Sequence, residues 1–309
     1  MTLTQLKYMI AVAEARNFTL AAEKSFVTQP TLSMQIQKLE DELGVQIFNR
    51  TKKPIRLTKV GSEILIQARK IISESKRMED VVAQEKGFIG GTFTLGIIPT
   101  VMPTLLPMFL NTFLKAYPKV NLKIEELTTE NIIKRLAEGK IDAGIAATPL
   151  KRDIIIERPL YYEPFSAYIP KNHRLSNSTK INIEDLENED MLLLEDGHCF
   201  KNQVLSMCSL VKNGENGRFD LKSGSFETLI NLANEGLGMT LIPYLNTRNL
   251  SEKNTENVIH FPAPPPAREI SIIYHKSQLK LQIIEALKDS ISGVMRGAIA
   301  FDDVQIITP

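Results

Sequence analysis

Apolar side chains recur at Leu3, Leu6, Met9, Ile10 and Ala13, the spacing of one helical face. Thr2, with Gln5 three positions on, forms a capping-box pattern at the start of that helix. A short helix is predicted over residues 19–25, then a break at Phe26 and Val27. Thr28 caps a third helix with Pro30 in its first turn, and Gly44 stops it just after Leu43. Leu32, Ile36, Leu39 and Leu43 are expected to face the core, leaving Gln29, Thr31, Ser33, Gln35 and Lys38 outward. Beyond Gly44, "VQIFNRTKKPIRLT" reads as a hairpin with a basic turn. Between Lys59 and Glu85, the residues Ile64, Leu65, Ala68, Ile71, Ile72, Met78, Val81 and Val82 form one stripe on a long helix capped by Thr58. Such a helix spans roughly 40 Å, more than a small domain covers, so a second copy of the chain is expected against it.

After a Gly90-Gly91 hinge the pattern changes to alternation. "TFTLGII" reads as a strand, residues 102–117 as a helix, "VNLKIEELT" as a strand, residues 130–138 as a helix and "DAGIAA" as a strand. "PFSAYIP", "DMLLLE", "LINLANEG", "MTLIP" and "EISIIYH" continue the series before a terminal helix. This order predicts a parallel sheet with crossover helices, divided into two α/β lobes of roughly 100 residues each. Ligands of such sheets sit beyond the strand carboxyl ends, where Thr100 and Thr129 both fall. Either threonine alone reads more naturally as a helix cap.

Composition adds limits. At 309 residues, with 43% hydrophobic and 24% charged side chains, the chain is expected to fold as an ordinary soluble protein. The start "MTLTQLKYMIAVAEARNF" lacks the features of a secretory signal, which points to the cytoplasm. Residues 87–114 carry no charge, but Pro99, Pro103 and Pro107 argue against a membrane span. Net charge is only +1, yet Arg50, Lys52, Lys53, Arg56 and Lys59 cluster without an acid among them. No glycine-rich nucleotide loop or metal-ligand cluster stands out, so no cofactor is expected.

Two helices joined by a tight turn, the second opening "TQPTLSMQIQKLEDELG", have the layout of a helix-turn-helix with its second helix in a major groove. The basic hairpin then serves as a wing on the phosphate backbone. The stretch "NFTLAAEKSFVTQPTLSMQIQKLEDELGVQIFNRT" resembles the N-terminal winged helix-turn-helix of the LysR-type transcriptional regulators. The resemblance implies contacts to double-stranded promoter DNA by Gln29, Pro30, Thr31, Ser33, Gln35 and Lys38, with Arg50, Lys52 and Lys53 on the wing. Met34 stands where many members carry arginine. It also implies pairing through the long helix into a homodimer or homotetramer, and contact with RNA polymerase. The expected class is α/β with an N-terminal all-helical winged helix-turn-helix, a long linker helix and a two-lobed, periplasmic-binding-protein-like regulatory domain. The expected divisions are 1–58 for DNA binding, 59–90 for linker, dimerisation and hinge, and 91–309 for regulation. Within the last, lobe I takes about 91–161 plus 268–300 and lobe II about 162–267.

The only two cysteines, Cys199 and Cys208, lie nine positions apart in "EDGHCFKNQVLSMCSL". Four readings compete: inert buried thiols, a structural disulfide, a metal site with His198, and a redox pair. If residues 199–209 are helical, the two Cα atoms stand about 13 Å apart, whereas a disulfide needs roughly 4.4–6.8 Å. Bond formation then requires unwinding, which makes oxidation a conformational event. Cys199, at a helix start after Gly197 and His198, is the better nucleophile, although Glu195 and Asp196 oppose its thiolate and call for a cation.

"GIIPTVMPTLLP", "MLLLEDGHC" with the second cysteine, "SFETLINLANEGLGMTLIP" and "AREISIIY" together resemble the peroxide-sensing branch of the LysR-type regulators. That resemblance implies hydrogen peroxide as the signal, Cys199 as the reacting thiol, Cys208 as its disulfide partner, and Thr100, Thr129, His198 and Arg268 around the peroxide. Arg218 stands where some relatives have histidine. A cellular thiol reductant is expected to reset a stoichiometric sensor that is not an enzyme. The rivals are a regulator bound by a small organic effector between the lobes, a thiol peroxidase and a transport binding protein.

Overall fold

The computed structural model describes residues 1–51, 53–85, 89–187, 189–195, 199–207, 212–213, 223–299 and 304–309. The chain divides into two compact units, Met1–Phe88 and Ile89–Pro309.

In the first unit, α1 (Leu3–Ala15) opens with the predicted capping box: Gln5 N–H donates to Thr2 Oγ1 at 3.2 Å and Thr2 N–H to Gln5 Oε1 at 2.8 Å. Helix α2 (Phe18–Lys24) is capped by Asn17, whose Oδ1 accepts from the N–H groups of Thr19 and Leu20. Helix α3 (Gln29–Leu43) starts at Thr28 and ends at Gly44, which takes the left-handed φ of 67° that glycine tolerates. Leu6, Met9, Val12, Leu32, Ile36 and Leu39 fill the core. Leu43, expected inward, is 38% exposed. It lies past the end of the packed helices, and Glu40 is turned inward in that last turn instead.

Strands β1 (Phe48–Asn49) and β2 (Arg56–Leu57) pair antiparallel as the wing, so this unit is helical apart from one short hairpin. Helix α4 (Lys59–Glu85) follows, with Thr58 Oγ1 accepting from Gly61 N–H at 2.9 Å. Its stripe is used unevenly. Leu65 and Ala68 are buried in the unit's own core, whereas Ile71, Met78, Val81 and Val82 are exposed.

The second unit begins β3 (Gly91–Ile97), α5 (Met102–Ala116), β4 (Val120–Glu126), α6 (Thr129–Ala137), β5 (Ala143–Thr148) and β6 (Ile155–Tyr168). Next come β7 (Asp190–Met191), α7 (Cys199–Met207), β8 (Lys212–Asn213), α8 (Phe226–Asn234), β9 (Thr240–Pro243), α9 (Tyr244–Thr247), α10 (Glu252–Thr255) and β10 (Val258–His260). The chain closes with β11 (Pro266–His275), α11 (Leu281–Ala298) and β12 (Gln305–Ile306). The main sheet runs in the order β10-β6-β11-β5-β3-β4.

The expected parallel sheet holds for β4, β3 and β5, and β12 adds a short parallel pairing to β11. Strand β11 lies antiparallel between β5 and β6, and β9 and β10 lie antiparallel to β6. The reason is the route of the chain: β11 is delivered by the return from the second core and not by a crossover helix, so it runs against its neighbours. "DMLLLE", read as a strand, is one only at Asp190–Met191. The 14-residue β6 serves both cores, placing Leu160 and Tyr161 in the first and Phe165, Ala167 and Tyr168 in the second. No helix among the described residues is long and apolar enough to cross a membrane.

Candidate nucleic-acid interface and buried arginine site

On α3, Gln29, Pro30, Thr31 and Lys38 are exposed and Ser33 and Gln35 half-buried, so the six residues expected to meet DNA lie on or near its open face. The wing residues divide. Lys53 is exposed, while Arg50 donates from Nη2 to Glu40 Oε2 at 2.7 Å, with its guanidinium carbon 5.2 Å from the Phe18 ring centre. Glu40 Oε1 accepts from Ile47 N–H at 2.8 Å and Phe48 N–H at 3.1 Å. One carboxylate therefore ties the end of the recognition helix to the wing, and Arg50 has a structural partner besides any phosphate. Sequence reasoning overlooked Glu40. The available signal was a glutamate directly following Leu39 in the buried stripe.

In the second unit, strand register sets Arg268 of β11 opposite Glu163 of β6. Both are almost wholly buried, at 0% and 1% exposure. Arg268 Nε and Nη2 donate to Glu163 Oε2 at 3.0 and 2.8 Å, and Glu163 Oε1 accepts from Leu245 N–H at 3.0 Å. Arg268 Nη1 donates to Thr100 Oγ1 at 2.9 Å and Nη2 to Thr100 O at 3.0 Å. Those bonds use four of the five guanidinium N–H groups and leave one on Nη1. Thr100 caps no helix: its hydroxyl accepts from a cation, which polarises its O–H and makes it a stronger donor.

The guanidinium carbon also lies 5.5 Å from the ring centre of Phe200, a cation–π distance. Phe200 packs on Phe165 and Phe226, with ring centres 5.3 and 4.9 Å apart, so the first turn of α7 is anchored in the second core. Cys199, the residue before Phe200, begins α7. Thr129, the first residue of α6, has a buried hydroxyl with no partner among the described residues. The Tyr161 hydroxyl is likewise buried and unpartnered there. Burial and the nearby Glu163 charge push this phenol well above its ordinary pKa, against a smaller opposing pull from Arg268.

Arg268 and Thr100 are thus joined directly, and Arg268 meets the start of α7 through Phe200. No described hydrogen bond links Thr129 to them. Lys52, His198, Cys208 and Arg218 lie outside the described residues. Sequence reasoning did not find Glu163 or Phe200. A lone acid within the apolar run "LYYEPFSAY" was the signal for the first, and ring contacts across distant elements gave none for the second.

A winged helix-turn-helix followed by a two-lobed α/β unit defines a bacterial regulator of the LysR class. Residues 3–62 match the bacterial regulatory helix-turn-helix protein, lysR family, and residues 86–296 match the LysR substrate binding domain. The chain belongs to the LysR family of transcriptional regulators. It is 35% identical over 299 residues to the hydrogen peroxide-inducible genes activator of Pectobacterium carotovorum subsp. carotovorum, covering 96% of this chain and 98% of that protein. Among solved structures it is similar to a full-length OxyR variant from Pseudomonas aeruginosa, with TM-score 0.76, 34% identity and 94% of each chain covered. A hydrogen peroxide-bound OxyR mutant from Corynebacterium glutamicum matches with TM-score 0.64 and 28% identity, over 97% of this chain and 94% of that one.

Proposed function

We propose that this chain is a peroxide-responsive, DNA-binding transcriptional regulator in which Cys199 is the sensing thiol and Cys208 its disulfide partner. The observation that carries the reading is the buried Arg268–Thr100 pair seated against the residue that follows Cys199. Arg268 favours a thiolate nearby, tempered by its neutralising pair with Glu163, and the polarised Thr100 hydroxyl is a donor for a peroxide oxygen. The Cys199 thiolate attacks one peroxide oxygen, the O–O bond breaks, and the departing oxygen takes a proton and leaves as water. The sulfenic acid then condenses with the Cys208 thiol, releasing a second water. Two thiols are oxidised to one disulfide and one peroxide is reduced to two waters. His198 and Thr129 complete the peroxide surroundings in this reading.

The bond cannot form on the helix as it stands. Eight residue steps along α7 set the Cα atoms of Cys199 and Met207 about 12 Å apart. Covalent geometry then keeps the next Cα no nearer to Cys199 than about 8 Å, beyond disulfide reach. Oxidation therefore reshapes α7, the lever by which peroxide alters binding at promoter DNA and contact with RNA polymerase. A second copy of the chain covers the exposed apolar positions of α4, and a cellular thiol reductant restores the starting state in the cytoplasm.

Thiol counting tests this reading. Reduced protein, treated with about one equivalent of hydrogen peroxide, is expected to lose two alkylatable thiols and about 2 Da, with Cys199 and Cys208 in one linked peptide. Survival of both thiols would end the peroxide reading and direct attention to an organic effector. The Cys199→Ser variant should lose the peroxide response in a reporter assay.

A further inference from the structure

We propose that Phe26 is a specificity residue of the DNA-reading face, where its ring takes the C5-methyl group of a thymine. The inference rests on the helix-turn-helix reading of the first unit and adds a contact that the polar residues of α3 do not supply.

Phe26 is 95% exposed, the most exposed large hydrophobic residue described. Its backbone has φ 55°, in the left-handed region that a bulky side chain rarely adopts. The turn enforces this conformation: Phe26 N–H donates to Glu23 O and Val27 N–H to Ala22 O, both at 3.1 Å. Val27 turns inward and packs against the core, so the chain sends the smaller residue in and the aromatic ring out into water. Asparagine or glycine would satisfy the same turn without strain and without an exposed apolar ring. Packing within the unit supplies no reason for phenylalanine here.

The position supplies one. Phe26 stands two residues before the cap of α3, and Gln29, Pro30 and Thr31 follow it, all exposed. In a docked helix-turn-helix the first residues of the second helix meet base edges, so the turn before them runs along the edge of the groove. Residues 26–38 include no acid, which leaves this face compatible with phosphates. Met34, 50% exposed and one helical turn beyond Pro30, adds a second apolar group to it. The thymine methyl is the apolar group that the major groove presents, and phenylalanine is among the side chains that contact it.

The test uses the full chain and the duplex it selects most tightly from a random-sequence library. Thymines of that duplex are replaced one at a time by deoxyuridine, which removes only the methyl group, and dissociation constants are measured for wild type and Phe26→Asn. Asparagine suits the left-handed turn, so a thermal midpoint at or above that of wild type will show that the variant is folded. One replacement should weaken wild-type binding about fourfold, the worth of one buried methyl, and leave the variant unaffected. The variant should bind the unmodified duplex more weakly by a similar factor. Equal deoxyuridine effects in both proteins, or none in wild type, would overturn the assignment and point to a sugar or protein contact for the ring. Failure to select any duplex would overturn the helix-turn-helix reading and this inference together.

Discussion

Two of the arginine–glutamate pairs among the described residues join separate elements in contrasting surroundings, and water separates their roles. Arg50 and Glu40 join the recognition helix to the wing with side-chain exposures of 39% and 9%. Arg268 and Glu163 join β11 to β6 with exposures of 0% and 1%. The chemistry is the same, but the surroundings differ in what they allow. Arg50 keeps enough contact with solvent to face a polyanion, and salt screens its attraction to Glu40. Arg268 lies where screening is weak, so its field acts on whatever small molecule or thiol approaches Thr100 and α7. In the proposed reading, a large external partner is met by exposed charge and a small penetrating one by buried charge.

Removing one member of each pair should break this parallel, and the largest effect belongs to the buried pair. Arg268→Met leaves Glu163 charged and unpaired and should cost about 3–5 kcal/mol in urea denaturation. Adding Glu163→Gln, whose amide oxygen still accepts from Leu245 N–H, should recover more than half of that loss; equal loss in single and double variants would mean that packing, not charge, sets the cost. Glu40→Ala strands the N–H groups of Ile47 and Phe48 and should cost about 1–3 kcal/mol. Arg50→Ala leaves those bonds in place and should cost below about 1 kcal/mol, less still in high salt. Neutralising Lys52 and Lys53 together should leave stability unchanged, weaken affinity for all DNA sequences and flatten the salt slope by about 0.9 per lost phosphate contact. An unchanged slope would remove the wing from the interface.

Elements set by local pattern were legible in the sequence, and partners set by long-range topology were not. The box at Thr2 and Gln5, the cap at Thr28, the stop at Gly44 and the span Lys59–Glu85 all follow from neighbours within a few positions. Asn17 was missed because the second helix was started one residue late, at Thr19 rather than Phe18. The insertion of β11 between β5 and β6 carries no local signal, since periodicity describes a strand's faces and not its neighbours. Thr100 was picked out by its place after the first strand and Arg268 by resemblance, yet their direct bond and the pairing of Arg268 with Glu163 depend on that insertion. Leu43 shows the opposite failure, a helical stripe extended past the end of the core that gives it meaning.

The buried pair on β6 and β11 also constrains how descendants of this chain can change. Loss of Arg268 alone strands a charged glutamate, and loss of Glu163 alone strands a charged guanidinium, so either first step drops into a valley of poor stability. Replacing both together lands on firmer ground, but single mutations rarely arrive in pairs. A lineage can therefore change Arg50 at little cost in stability while remaining held at Arg268 even after the need to sense its signal has gone.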